Sequence, residues 1–342
     1  MQERLTARWY ASDPRPSALQ PLGWLYGAAM RLRRRGYEAG WLRAQRVAAA
    51  VIVVGNLTVG GTGKTPFTLW LAQQLAARAL PVGILSRGYG RRGHAPRLVQ
   101  PGADYREVGD EPLLLARRSG CPTVVARARA AGARRLLELG ARVIVCDDGL
   151  QHLALARDCE IVVIDGARGL GNGRLLPAGP LREAPARLAR ADLLIVNGAP
   201  EHASLAGLAA GGTLLRMDLI GAQALRVDGT AVQQALADFR GARVHAVAGI
   251  GNPGRFFGAL RAQGLQLIEH AFADHHPFVR ADLAFGDALP VLMTEKDAVR
   301  CAAFADPRLW YVPVQARFSD ADAHLILGRV LAHTGDAALA RS

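Results

Sequence analysis

The chain has 342 residues, half of them hydrophobic, and a formal charge of +13. That length carries two domains of ordinary size, and the charge asks for an acidic partner: nucleic acid, an anionic membrane or a phosphorylated substrate. Cys121, Cys146, Cys159 and Cys301 stand alone with no C-x-x-C pair, which argues against a zinc site or a disulfide framework and fits a reducing compartment; the first residues show no secretory signal, and no apolar run reaches the ~18 residues of a spanning helix.

Residues 1–50 hold nine Arg and three acidic residues, so 9 − 3 = +6 sits in that segment alone. Within it, LQPLGWLYGAAM (19–30) is apolar with Trp24 and Tyr26, and Arg31, Arg33, Arg34, Arg35, Tyr37 and Trp41 follow. An apolar patch with aromatics edged by arginines describes an interfacial segment beside anionic headgroups, over residues 1–46. A basic helix packed on the domain is the plainer alternative. No RNA- or DNA-binding signature accompanies the charge, so no nucleic-acid partner is expected.

From residue 47 the pattern becomes strand, turn, helix, repeated. Strands are expected at Val47–Val54, Val82–Leu85, Thr123–Ala126, Val143–Cys146, Ile161–Ile164 and Leu193–Val196, with helices such as Pro66–Ala79 and Ala128–Leu139 between them. This implies a parallel sheet covered on both faces, over 47–211. Near residue 212 the rhythm changes: TLLRMDLI, a glycine break and ALRVDG read as a β-hairpin linker over 212–230. A second, smaller α/β domain follows over 231–342, with strands at Val244–Ala248, Leu265–His270, Val291–Thr294 and Leu309–Val314. The fold class is therefore α/β: a P-loop NTPase-type domain and a smaller α/β domain, with a cleft between them.

The strongest chemical signal is VIVVGNLTVGGTGKTP, residues 51–66. A buried strand runs into a glycine-rich loop, Thr58, Val59, Gly60, Gly61, Thr62 and Gly63, and a helix opens with Lys64 and Thr65. Such a loop turns its N–H groups toward a polyphosphate, and the helix N-terminus adds positive potential. Lys64 would reach the β- and γ-phosphates and Thr65 would ligand Mg²⁺. Thr58 stands where the G-x-x-x-x-G-K-S/T pattern asks for glycine, and Gly60-Gly61 can still give the curve.

The second signal is RVIVCDDGLQH, residues 142–152. Asp147 and Asp148 end an apolar strand at the carboxyl edge of the sheet, and one of them would hold Mg²⁺ directly or through water. VGDEP (108–112) puts Asp110 and Glu111 before a helix, where spacing alone favours simple helix N-terminal charges. The histidines of FADHH (272–276) follow a strand, where a structural or solvated role is the commoner one. Gly249-Ile250-Gly251-Asn252-Pro253-Gly254 resembles a dinucleotide fingerprint with Glu269 behind it, but a lone instance is weak and ATP is already accommodated elsewhere. Of 42 basic residues only Lys64 and Lys296 are lysines, so both are expected where a compact ammonium is required.

Taken together, GNLTVGGTGKTP, SRGYGR, VGDEP, DDGLQH, DGARGLGNGRLLPAGPLRE, AGIGNP, FADHH and MTEKDAV, in this order from about residue 10 to 330, resemble the tetraacyldisaccharide 4′-kinase family, the lipid A kinases of Gram-negative bacteria. In that family too the loop lacks the first glycine. The resemblance implies ATP- and Mg²⁺-dependent phosphorylation of the 4′-hydroxyl of a tetraacyldisaccharide 1-phosphate, giving lipid IVA in lipopolysaccharide biosynthesis. It implies two α/β domains joined by a two-stranded linker, and peripheral attachment to the cytoplasmic face of the inner membrane, with no obligate protein partner. It carries an acid–histidine catalytic pair onto Asp110 and His275, metal-organising roles onto Glu111, Asp147 and Asp148, and a further acidic role near the site onto Glu183. Which of Asp147 and Asp148 is the inner-shell ligand stays open, as does whether Lys296 meets nucleotide or substrate.

Two rival classes are weaker: a basic nucleic-acid-binding protein would explain the charge but not the paired acids, and a regulatory nucleotide switch or metal-delivery ATPase lacks its signatures here. Regulatory or metal-delivery ATPases with a deviant loop carry a signature Lys before Gly-Gly, where Val59 stands here. Lys296-Asp297 is not the N/T-K-x-D guanine reader, because no residue separates the two.

Overall fold

The computed structural model describes residues 8–10, 17–91, 93–212 and 214–339. Most of the expected interfacial segment is therefore visible, while its residues 1–7 and 11–16 lie outside the described residues.

Two sheets organise the chain. The larger has nine strands in the order β15-β8-β7-β6-β1-β5-β2-β4-β3: β1 (Ala50–Gly55), β2 (Val82–Ser86), β3 (Arg97–Leu98), β4 (Thr123–Val125), β5 (Val143–Cys146), β6 (Cys159–Asp165), β7 (Leu193–Asn197), β8 (Leu214–Ile220) and, from much later in the chain, β15 (Gln315–Arg317). All its interior pairings are parallel, and only the edge strands β3 and β15 run antiparallel. The smaller sheet has the order β10-β9-β14-β13-β11-β12, built from β9 (Gln223–Arg226), β10 (Gln233–Ala235), β11 (Arg243–Ala248), β12 (Gln266–Ala271), β13 (Val291–Thr294) and β14 (Leu309–Val312).

The β-branched run of β1 is buried at every position, as a central parallel strand with both faces covered must be. Alternate residues serve opposite cores. Val51 and Val53 pack with Ala133 and Leu136 of the helix Arg129–Glu138. Ile52 and Val54 pack with Phe67, Leu71 and Leu75 of the helix Lys64–Ala76 and with Ile326 and Val330 of the C-terminal helix Asp320–Leu339. Each such side chain fully buried contributes about 1.5–3 kcal/mol, so the strand that carries the glycine-rich loop is anchored from both faces of the sheet.

The linker differs from the expected hairpin. TLLRMDLI and ALRVDG do not pair with each other: β8 joins the large sheet beside β7, and β9 joins the small sheet beside β14. Their antiparallel partners come from some 90 residues later, with Leu219 opposite Ala316 and Leu225 opposite Tyr311. The chain thus crosses between the sheets twice, and the two crossings form one ribbon. Gly221 sits where they are closest, since a methyl group there would lie 2.7 Å from Val312 Cγ1. Local alternation marks a strand but carries no information about its partner. For the same reason the expected second domain ends early: β15 and the C-terminal helix return to the large sheet.

The helix Gln20–Glu38 lies against the large unit through glycines. Gly23, Gly27 and Gly36 are its buried residues; a methyl group at Gly27 would lie 2.5 Å from Leu175 Cδ1, and one at Gly23 would press on Leu175 O at 3.2 Å. Its outer side carries Leu22, Trp24, Leu25 and Leu32, followed by Trp41 and Leu42, all exposed, Trp41 at 77%. Among the described residues, no helix is long and apolar enough to cross a membrane.

Candidate active site

The glycine-rich loop leaves β1 at Gly55 and enters the helix at Lys64. Its first half is held as extended chain: Val59 N donates to Pro180 O (2.9 Å), Arg182 N donates to Leu57 O (2.6 Å), and Thr58 bridges Leu181. That pairing explains why Thr58 serves where the usual pattern has glycine. Positive φ is needed only further on, at Gly60 (102°) and Gly63 (96°), where a Cβ would be strained. Asn197, at the end of β7, donates from Nδ2 to Thr62 O (3.0 Å) and braces the loop from below.

Asp147 and Asp148 stand at the end of β5, directly beside β1. Asp148 Oδ1 lies 3.6 Å from Lys64 Nζ, and Arg182 Nη1 donates to both its oxygens at 3.0 and 3.2 Å. Burial works against the ionised form, but Lys64 and Arg182 hold the Asp148 carboxyl well below the usual range. Asp147 is its opposite. It is 1% exposed, accepts from Thr68 Oγ1 at 3.1 Å on one oxygen, and keeps Oδ2 buried with no partner among the described residues. Burial, then the charge of Glu111, pushes its pKa up to about 7, against the pull of Lys64. A buried carboxylate oxygen without a partner, with the charge of Glu111 acting on it, is of the chemistry that suits a divalent cation. Behind the turn, buried Arg129 donates from Nη2 to Asp147 O (3.0 Å).

The second half of the site joins the sheets. Asp110 opens the helix Asp110–Ser119 of the large unit, and His275 follows β12 of the small one. They meet: His275 Nδ1 lies 3.1 Å from Asp110 Oδ2. Arg300, on the helix Glu295–Cys301, pairs with the same oxygen, and Asp110 Oδ1 accepts from Glu111 N at 2.8 Å. Burial opposes ionisation of Asp110, yet the His275 hydrogen bond and the charges of Lys296 and Arg300 hold its carboxyl well below the ordinary range. With Asp110 as acceptor, Nδ1 of the imidazole carries the proton and Nε2 faces Lys296 Nζ at 3.3 Å. Lys296 also binds Glu111 Oε1 (3.0 Å) and Asp274 Oδ1 (3.3 Å). Burial would lower the Lys296 pKa, but the charges of Glu111, Asp110 and Asp274 more than offset it and raise the ammonium above its usual value.

Glu183 is arranged differently. It is nearly buried among cations: Arg34 of the N-terminal helix pairs with it, Arg187 Nε lies at 3.7 Å, and Gln151 Nε2 donates to it at 3.1 Å. It ties the helix Gln20–Glu38 to the strip that supports the glycine loop. His276 turns away to Asp282 (2.9 Å).

The halves touch through the glycine string at 249–254. Arg168 Nη1 donates to Gly251 O (2.6 Å), Asn252 Nδ2 and Arg255 Nη2 donate to buried Asp165 at 3.1 and 2.8 Å, and Gly251 rests on Gly60 and Gly61. Of these glycines, Gly251 serves the close packing of two backbones. Sequence reasoning did not single out Asn197, Arg168, Arg182, Arg255 or Arg300. Arg182 sits one residue before Glu183, and Arg300 sits four residues after Lys296, on the same side of a helix.

A parallel sheet whose central strand feeds a glycine loop and helix, with acids on the neighbouring strand and an acid–histidine pair alongside, defines a P-loop phosphotransferase. The family model for tetraacyldisaccharide-1-P 4′-kinase matches residues 16–331. The tetraacyldisaccharide 4′-kinase of Alkalilimnicola ehrlichii is 50% identical over 317 residues, 92% of either chain. That of Pseudomonas paraeruginosa is 48% identical, over 92% of this chain and 93% of its own. Among solved structures, LpxK from Aquifex aeolicus in complex with ATP is similar with a TM-score of 0.73 and 28% identity, covering 93% of this chain and 98% of that one. The chain belongs to the tetraacyldisaccharide 4′-kinase family, and is a kinase with a hydroxyl acceptor.

Proposed function

We propose that this chain transfers the γ-phosphate of ATP to the 4′-hydroxyl of a tetraacyldisaccharide 1-phosphate, with Asp110 and His275 handling the proton. The observation that carries the reading is the 3.1 Å contact between Asp110 and His275, made across two sheets on the side of the glycine loop. The loop from Thr58 to Thr65 would cradle the phosphates, with Lys64 on the β- and γ-oxygens. Thr65, Glu111 and the Asp147–Asp148 pair would hold Mg²⁺, which would supply charge neutralisation at the phosphates.

The acceptor O–H bond breaks, its proton passing to the Asp110–His275 pair. The new O–P bond forms as the bridging bond to the β-phosphate breaks, and ADP leaves. Because the transition state is loose, the proton moves late, and a carboxylate of low basicity suffices when histidine shares the proton. Incubating the protein with ATP and a tetraacyldisaccharide 1-phosphate should add one phosphate by mass. Hydrolysis of ATP at an equal rate without the lipid would overturn the reading in favour of a nucleotide switch.

The substrate class also bears on location. A helix that turns glycines inward and tryptophan and leucine outward, next to Arg31, Arg33 and Arg35, suits the cytoplasmic face of an anionic inner membrane. Replacing both Trp24 and Trp41 with Ser should reduce sedimentation with anionic vesicles at least several-fold while leaving nucleotide affinity unchanged; undiminished sedimentation would place the contact elsewhere.

A further inference from the structure

We propose that Arg300 is a positioning residue for the phosphoryl transfer, holding Asp110 and His275 in register across the junction of the two sheets. This rests on the reading of Asp110 and His275 as the proton-handling pair. Arg300 is fixed from behind before it reaches them. Its Nη1 donates to Asp297 Oδ1 at 3.0 Å. Asp297 is fully buried and is itself held by Thr294 Oγ1 (2.6 Å) and Gly249 N (3.0 Å). The other arm of the guanidinium pairs with Asp110 Oδ2, the oxygen that His275 also uses, and stands 3.3 Å from His275 Nδ1. A planar fork with both arms committed sets direction as well as charge.

The backbone closes the same circuit. His275 N donates to Gly249 O at 3.2 Å, so the residue that anchors Asp297 also anchors the histidine's main chain. Arg300 therefore touches the carboxylate of one unit while being tied, through Asp297 and Gly249, to the loop that carries the imidazole of the other. An ion pair that only joined the units could land on any acid. This one lands on the oxygen where the two proton-handling groups meet, so its loss lets Asp110 rotate and separates the reacting atoms. A displacement near 1 Å at such a site costs on the order of 10²-fold in rate.

The test uses the full chain with ATP and tetraacyldisaccharide 1-phosphate. Arg300→Met should lower kcat by about 10²-fold while KM for ATP stays within about threefold. Arg300→Lys, which keeps a charge at the same place, should stay within about tenfold of the parent. Arg300→Met combined with His275→Ala should be no slower than His275→Ala alone, because residues acting through one unit are not additive. If Arg300→Met does not fold, Asp297→Asn decides: it loosens the anchor, and should lower kcat about fivefold with no further loss on top of His275→Ala. A normal kcat in Arg300→Met (or in Asp297→Asn, where that variant decides), or losses that multiply with His275→Ala, would overturn the role of Arg300. Full turnover by His275→Ala itself would instead overturn the reading on which it rests.

Discussion

The phosphate-binding half of the site and its proton-handling half differ in what holds them. The first is backbone: a loop of consecutive residues between β1 and its helix, zippered to Pro180–Arg182 and braced by Asn197. The second is side chains in buried and half-buried ion pairs, drawn from residues 110, 275, 296 and 300 and meeting only because two sheets dock. A backbone cradle survives the loss of any one side chain as a shape, and loses only the charge that side chain brought. An ion-pair cluster loses its shape when any member goes, since the partners are left buried and unpaired.

The largest effect should fall on the first half. Lys64→Ala removes the ammonium from the loop but none of its hydrogen bonds, and should lower turnover by about 10³-fold or more with little change in melting temperature. A folded Lys64→Ala protein with near-normal lipid phosphorylation would end the claim that this loop does the phosphate chemistry.

The second half should respond as a unit. Asp110→Ala and His275→Ala should each lower kcat by about 10²–10³-fold, and the double variant should be hardly slower than either. ATP affinity should change little, since neither residue belongs to the loop. Turnover for the three variants, with nucleotide binding alongside, decides it: fully multiplicative losses would mean two separate roles.

The same contrast explains what was legible in the sequence. The loop, its helix and the Asp147-Asp148 turn could be read because each is contiguous, and because parallel strands place their carboxyl ends together. Thr58 departs from the usual glycine pattern, and its pairing with Leu181 gives the reason, an extended stretch. The scarcity of lysine pointed to Lys64 and Lys296, and the structure brings both to carboxylates of the site. Arg300 was hidden for the opposite reason: in a chain with 40 arginines, its identity carries no signal. The ribbon was misread because β15 is three residues long and lies some 95 residues from its partner β8. Spacing alone gave Asp110 and His275 ordinary roles, and only the ordered motifs and then the tertiary contact joined them.

A milder effect should come from pH, again on one half only. Burial and the charge of Glu111 push the Asp147 pKa up to about 7. A raised pKa means that protons compete with a cation for this carboxylate as pH falls through 7. The Mg²⁺ concentration for half-maximal turnover should therefore rise below pH 7, approaching about tenfold per unit. Asp147→Asn should need more Mg²⁺ at every pH and lose this dependence. A requirement for Mg²⁺ that stays flat from pH 8 to 6 would show that Asp147 does not meet the cation.

The smallest effect, and the one that tests whether the halves are separable, belongs to Gly251. Its backbone rests on the loop of the other unit. A methyl group there would lie 2.5 Å from Gly61 N, 2.9 Å from Gly60 Cα and 3.1 Å from Gly60 C. All three are backbone atoms, so no side-chain rotation relieves the contact, and the 249–254 loop must move outward by a fraction of an ångström. The phosphate loop itself keeps its strand, its helix and its pairing to Pro180–Arg182. His275 cannot stay behind, because its N–H is bonded to Gly249 O two residues away. It is drawn off Asp110, while Lys64 and the loop amides remain in place. Gly251→Ala should therefore lower kcat about fivefold and leave ATP affinity within about twofold, a misplacement well short of the 1 Å that costs 10²-fold. Rapid-quench turnover beside nucleotide titration reads both. An equal fall in ATP affinity would mean that the glycine string helps to bind nucleotide, and that the backbone half extends into the small sheet.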